Sequence, residues 1–205
     1  MAKFFFPQFS SKFLNKLKFG NDEAYYSATP LYQVFQIKKI FKKLNISTNN
    51  SSFVDATANI GASTINFACV FKFKKIISIE INPDTFKILK HNICIFFLNF
   101  PNNPTKILLF NNSFLNFNFN KFDFIFIDPP WGGPDYKKKD KVDLFIDNIN
   151  IKKIVSKLFF FFNFIFLKVP INFNFFYFKY KYFPITSKNK SKISWLFVVI
   201  PTSSI

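Results

Sequence analysis

From residue 52 onward, short apolar runs alternate with segments of helical period, and this alternation restricts the fold more than any other feature of the chain. The runs 52–56, 75–80, 106–110, 122–128 and 159–168 have strand length and are dense in Phe and Ile. Between them, 63–70, 84–97 and 141–157 read as helices, with Pro83 near the start of the second. Parallel strands need a crossover of helix length, so the pattern predicts an α/β fold with a parallel sheet covered on both faces. The Phe-rich strands suit burial on both sides. The segments 173–182 and 194–200 read as a terminal antiparallel pair around the loop 187–191.

Two regions are expected: a helical, basic N-terminal extension over 1–50 and a domain over 51–205. In the extension, Thr29 reads as an N-cap and Pro30 as the first helical residue. Apolar residues at 31, 34, 35, 37, 40, 41 and 44 then form one helix face, with lysines on the other.

Composition narrows the chemistry. The chain has 36 Phe, and all 28 of its basic residues are Lys, the signature of AT-rich codons. The net charge of +17 still favours encounter with nucleic acid. His91 is the single histidine, so a zinc site is not expected. Cys69 and Cys94 lack ligand spacing and read as core thiols in a reducing compartment. The apolar run 158–167 is far shorter than the roughly 20 residues that span a bilayer, and Phe4–Phe6 form no signal-peptide core. The expectation is a soluble intracellular monomer without metal.

Two strand ends carry the functional signal. Asp128-Pro129-Pro130-Trp131-Gly132-Gly133-Pro134-Asp135-Tyr136 follows the strand 122–127 and contains two of the chain's four glycines. An acid, two prolines and an aromatic there make a rigid, polar-lined ledge, suited to holding a flat ring by its amino group. The turn after the first strand, 55–64, offers Asn59 and Gly61 for positive φ at a helix N-terminus. Glu80, 25 residues after Asp55, ends the next strand, where a carboxylate can accept from both hydroxyls of a ribose. No Gly-x-x-x-x-Gly-Lys-Ser/Thr is present, which argues against a P-loop nucleotidase. An acid before the turn, without a dense glycine cradle, suits a ligand lacking a pyrophosphate, such as S-adenosylmethionine.

These residues resemble a family. Val54-Asp55-Ala56-Thr57-Ala58-Asn59-Ile60-Gly61-Ala62-Ser63-Thr64-Ile65-Asn66-Phe67-Ala68 resembles the cofactor turn of class I methyltransferases, in the form typical of the trimethylguanosine synthases. The stretch from Asp128 to Tyr136 resembles that family's catalytic motif, and Tyr26-Ser27-Ala28-Thr29-Pro30 its aromatic-Ser-x-Thr-Pro segment. Order and spacing agree over nearly the whole chain. The resemblance implies a Rossmann-like class I S-adenosylmethionine-dependent methyltransferase with a short helical N-terminal extension. It further implies methyl transfer to the 2-amino group of 7-methylguanosine in the cap of small nuclear or nucleolar RNA, in a nucleus or an endosymbiont-derived nucleus.

Roles follow from the same resemblance. Asp128, Pro129 and Trp131 are expected to be catalytic. Tyr26, Thr29, Asp55, Asn59, Gly61, Glu80, Ser113 and Asp128 are expected at the cofactor. Trp131, Pro134, Tyr136, Lys18 and Lys168 are expected at the cap, the lysines on its phosphates. Many family members have Ser where Asp128 stands, and the family's turn has two or three glycines where this chain has Asn59 and Ala62 around Gly61. Two alternatives stay open: methylation of an adenine 6-amino group in DNA or RNA, and a cap- or RNA-binding module without catalysis. Trp195 reads as core strand, His91 as an ordinary helix residue and Asp123 as a strand-edge residue.

Overall fold

The computed structural model describes residues 2–20, 28–175, 179–189 and 191–202. The chain divides into two compact units, Met1–Phe117 and Asn118–Ile205. The boundary expected at residue 50 falls inside the first.

The first unit opens with two single-turn helices, α1 (Ala2–Phe5) and α2 (Ser11–Leu14), and a longer one, α3 (Leu31–Lys43). Helix α3 buries Leu31, Val34, Ile37, Ile40 and Phe41, the stripe written in its sequence. Its cap is Pro30 rather than Thr29. The Pro30 carbonyl accepts from the Gln33 and Val34 amides at 2.9 and 3.3 Å, while the Thr29 hydroxyl is committed to Ser63. Three parallel strands follow, β1 (Ser52–Asp55), β2 (Lys75–Glu80) and β3 (Lys106–Asn111), in the order β3-β2-β1. Helices α4 (Ala62–Val70) and α5 (Pro83–Asn99) connect them. The register pairs Asp55 with Ser78 and Glu80 with Asn111, so the C-terminal strand ends share one edge. The Asn82 side chain caps α5 by accepting from the Asp84 and Thr85 amides. The Phe53 ring lies 4.7 Å from both Phe67 and Phe73 in the core; each such buried Phe contributes roughly 1.5–3 kcal/mol. Cys94 is exposed, contrary to its expected place in the core, because it lies on the outer side of α5.

The second unit holds β4 (Phe122–Ile127), a short hairpin of β5 (Phe145–Ile146) and β6 (Ile149–Asn150), helix α6 (Ile151–Leu158), β7 (Phe162–Val169), β8 (Lys181–Thr186) and β9 (Ile193–Pro201). Strand β7 pairs parallel with β4 and antiparallel with β9, and β9 pairs antiparallel with β8. The helix expected over 141–157 is therefore corrected to a hairpin followed by two turns of helix. Asp147 and Asn148 take φ of 49° and 60°, the geometry of a two-residue hairpin turn. Asn150 then caps α6 by accepting from the Lys152 amide at 2.9 Å. The expected strand 173–182 is displaced to 181–186; residues 176–178 lie outside the described residues. Trp195 sits in the core of β9, 3% exposed, as expected. No described helix is long and apolar enough to cross a membrane, and the described residues contain no cluster that could hold a metal ion.

Candidate functional site

Two sites emerge at strand ends, one in each unit. In the second unit, the register that pairs Ile127 with Leu167 sets the next residues, Asp128 and Lys168, side by side. The Lys168 ammonium donates to Asp128 Oδ2 at 2.7 Å, with the two side chains 3% and 11% exposed. Burial pushes the Asp128 carboxyl above the ordinary aspartate range, and the Lys168 charge and hydrogen bond oppose that push. The same ammonium lies 5.9 Å from the Trp131 ring centroid and 5.6 Å from that of Trp195. Trp131 Nε1 reaches the Lys168 carbonyl through a long 3.4 Å bond, and Tyr136 meets the indole edge-on at 5.2 Å. The indole is half-buried, whereas Gly132 and Gly133 are exposed. Both glycines have positive φ, 82° and 71°, so this turn would strain any L-residue.

Pro129 is buried under the ledge. Pro134 opens a 3₁₀ turn, Pro134–Lys138, which Asn172 ties down by donating to the Tyr136 and Lys139 carbonyls at 2.9 and 2.7 Å. Asp135 pairs with Lys138 at the surface, 2.6 Å apart. The phosphate role expected for Lys168 does not fit its placement: its charge is engaged inside the protein by Asp128. The arrangement offers a half-exposed aromatic face beside an ion-paired carboxylate, which can hold a flat, amino-bearing ring.

In the first unit, Asp55 is fully buried. It accepts from Thr64 Oγ1 at 2.6 Å, and that hydroxyl is 2.8 Å from Ser78 Oγ. Asp55 thus ties the end of β1 to α4. Glu80 organises the turn: Oε2 accepts from the Asn59 amide at 2.8 Å and Oε1 from the Asn82 amide at 2.9 Å. Asn59 and Gly61 adopt φ of 49° and 90°. A Cβ on Gly61 would stand 2.7 Å from Leu89 Cδ1, so glycine is required both by the backbone and by the packing of α5. Ser113 caps the 3₁₀ turn Phe114–Asn116 by accepting from the Leu115 amide.

Sequence reasoning missed the residues that hold the N-terminal segment to this turn. Asn92, fully buried, accepts from the Lys18 amide and donates to the carbonyls of Lys18 and Ile60, all within 2.9 Å. Asn66 donates to the carbonyls of Phe5 and Thr29 and accepts from Gln8. Lys18 is thereby fixed through its backbone while its side chain stays exposed. Tyr26 lies outside the described residues. His91 is exposed and hydrogen-bonds the Lys16 carbonyl.

A family model described as RNA cap guanine-N2 methyltransferase matches residues 50–179. An uncharacterized protein of Acanthamoeba polyphaga mimivirus is 32% identical over 108 residues, 51% of this chain and 39% of the relative. Trimethylguanosine synthase of Schizosaccharomyces pombe is 33% identical over 93 residues, 42% of this chain and 36% of the relative. The match thus spans under two fifths of either relative. Among solved structures, an RNA methyltransferase from Salinibacter ruber in complex with S-adenosyl-L-homocysteine superposes with a TM-score of 0.54 at 9% identity, covering 82% of this chain and 90% of that one. A conserved hypothetical protein of Streptococcus pyogenes gives 0.52 at 15%, covering 80% and 93%. At such identities the likeness is one of fold, and the fold is that of a Rossmann-like class I methyltransferase.

Proposed function

The chain belongs to the RNA cap guanine-N2 methyltransferase family, and on that premise we propose that it transfers methyl groups from S-adenosylmethionine to the 2-amino group of a 7-methylguanosine RNA cap, giving 2,2,7-trimethylguanosine. The observation that carries this reading is the ledge: a half-exposed indole at the end of β4 beside a carboxylate ion-paired at 2.7 Å. The substrates are capped small RNAs of the nuclear or nucleolar type, and the compartment is a nucleus or an endosymbiont-derived one.

Trp131 stacks on the base. A 7-methylated guanine is cationic, so the indole face favours it over plain guanine by roughly 0.5–2 kcal/mol. The Asp128 carboxylate and the Pro129 carbonyl accept the hydrogens of the 2-amino group. That turns the nitrogen lone pair out of conjugation with the ring and offsets the positive charge that develops on it. Tyr136 closes the edge of the indole.

The first unit fits the cofactor. Glu80 uses one acceptor site on each oxygen for backbone amides, and a carboxylate has about four such sites. Acceptors therefore remain for the two hydroxyls of a ribose. Asn59, Gly61 and the start of α4 present the methionine end with backbone, Thr29 packs behind them, and Ser113 stands at the end of β3 for the adenine. Bound there, S-adenosylmethionine supplies an electrophilic methyl group on a sulfonium. The chain's task is alignment, and a well-oriented pair can save roughly 7–11 kcal/mol of barrier.

The test is transfer of labelled methyl to 7-methyl-GTP, with GTP and an adenine-containing RNA oligomer in parallel, for the wild type, Trp131→Ala and Asp128→Ala. Label on 7-methyl-GTP alone, lost in both variants, is expected. Label on the adenine oligomer would move the assignment to an adenine 6-amino methyltransferase. Cap binding without transfer to any acceptor would make the protein a binding module.

A further inference from the structure

The reaction proposed above uses Asp128, Pro129 and Trp131 and leaves Lys168 without a task, although its side chain is only 3% exposed. Taking an ammonium out of water costs several kcal/mol, and an apolar residue of similar volume often serves stability equally well or better. The β4–β7 register explains why residue 168 adjoins residue 128; it does not explain why residue 168 is charged. Its surroundings are specific: the Asp128 carboxylate at 2.7 Å, with the Trp131 and Trp195 rings at 5.9 and 5.6 Å.

We propose that Lys168 is a positioning residue for methyl transfer, whose buried ammonium keeps the Asp128 carboxylate charged and fixes its orientation toward the acceptor amine. This rests on the reading of Asp128 as the group that accepts the amine's hydrogens. A neutral carboxylic acid would present a donor where an acceptor is required. Burial drives Asp128 toward that neutral form, and Lys168 opposes it. Among the described residues packed about Asp128, Lys168 comes from β7, Trp195 from β9, and Trp131 and Tyr136 from the ledge. Of these, Lys168 is the cation, and the Tyr136 phenol is held neutral because burial raises its pKa. The charged pair also has no net charge, so the indole that receives a cationic base does not face an uncompensated ammonium.

The test is a double-mutant cycle read through pH profiles. Rates are measured on 7-methyl-GTP for the wild type, Lys168→Met, Asp128→Ser and the double variant, with thermal melts to confirm folding. Lys168→Met is expected to lower kcat by roughly tenfold to a hundredfold, within the range of positioned acid–base groups, and to leave KM within about threefold. Its acid limb is expected to rise by at least about one pH unit as Asp128 loses its counter-charge. In the Asp128→Ser background the same substitution should cost less than about threefold, since its target is gone. An unmoved acid limb, or an equal cost in both backgrounds, would overturn the proposal and leave Lys168 a packing residue. Lys168→Gln, which keeps a donor without the charge, should show the same shift and serves if the Met variant does not fold. If the wild type prefers another amine, the cycle is run on that acceptor, so the cap reading can fail while the pair stands. Titration of the Asp128 carboxyl carbon by NMR in the wild type and Lys168→Met gives the answer without turnover.

Discussion

Replacing Trp131 by Ala separates recognition from folding. The indole is half-buried and contributes to the fold one long 3.4 Å hydrogen bond, one edge contact to Tyr136 and a distant ammonium at 5.9 Å. These sum to about 1–2 kcal/mol of stability. Toward the cap the same ring has two separable effects. Stacking on a base contributes roughly 1–3 kcal/mol whatever its charge. The positive charge of a 7-methylated base adds roughly 0.5–2 kcal/mol. At about 1.4 kcal/mol per tenfold, 7-methyl-GTP should lose roughly tenfold to several thousandfold in affinity. GTP forfeits only the stacking part, so the preference for 7-methyl-GTP should shrink by roughly 2- to 30-fold. Isothermal titration of both nucleotides with wild type and variant, beside thermal melts, measures this ratio. A folded Trp131→Ala protein whose preference is unchanged would refute the reasoning and move 7-methyl recognition elsewhere.

Other substitutions test the supports. Gly61→Ala should destabilise the protein by about 2–4 kcal/mol, because φ of 90° and a Cβ only 2.7 Å from Leu89 Cδ1 are both unfavourable; urea unfolding measures it. Asn92→Ala removes three hydrogen bonds from a fully buried side chain and should cost about 2–4 kcal/mol, with faster amide exchange over 16–20. Burial pushes the Cys69 thiol up to about 11, so at pH 8 it is almost wholly protonated and should resist alkylation. Exposed Cys94 should take up the first equivalent of maleimide, and peptide mapping that places the label on Cys69 would contradict this burial.

How much of this could be read beforehand depended on which residues carried each feature. Strand β2 matches the predicted span 75–80, and β1, β3, β4, α4 and α5 lie within two residues of theirs. Their strands are buried runs and their boundaries coincide with Pro or with an Asn or Gly turn. The region 141–157 misled because its apolar residues fit a helix as well as a hairpin. The feature that decides it, two consecutive left-handed residues at Asp147 and Asn148, looks like ordinary polar surface. Lys168 was noticed for its type and misplaced in its role, because the partner that buries its charge comes from a strand 40 residues away. Only the β4–β7 register brings the two together.

The same contrast explains why the ledge was conspicuous and its supports were not. This composition is dominated by Phe and Lys, so a residue outside that bias stands out. Two of four glycines, three of eleven prolines and one of two tryptophans fall within 128–134, and that concentration marks backbone and ring geometry for which the common residues are no substitute. Asn, in contrast, is scattered through the chain. Asn66, Asn92 and Asn172, each donating to two or more carbonyls, are indistinguishable in sequence from asparagines at the surface. An Asn clamp uses an abundant residue for a demanding task, since its amide both donates and accepts at a buried turn. Replacing any of the three by Asp, which keeps the size and removes the donors, should be far more damaging than the same change at exposed Asn189.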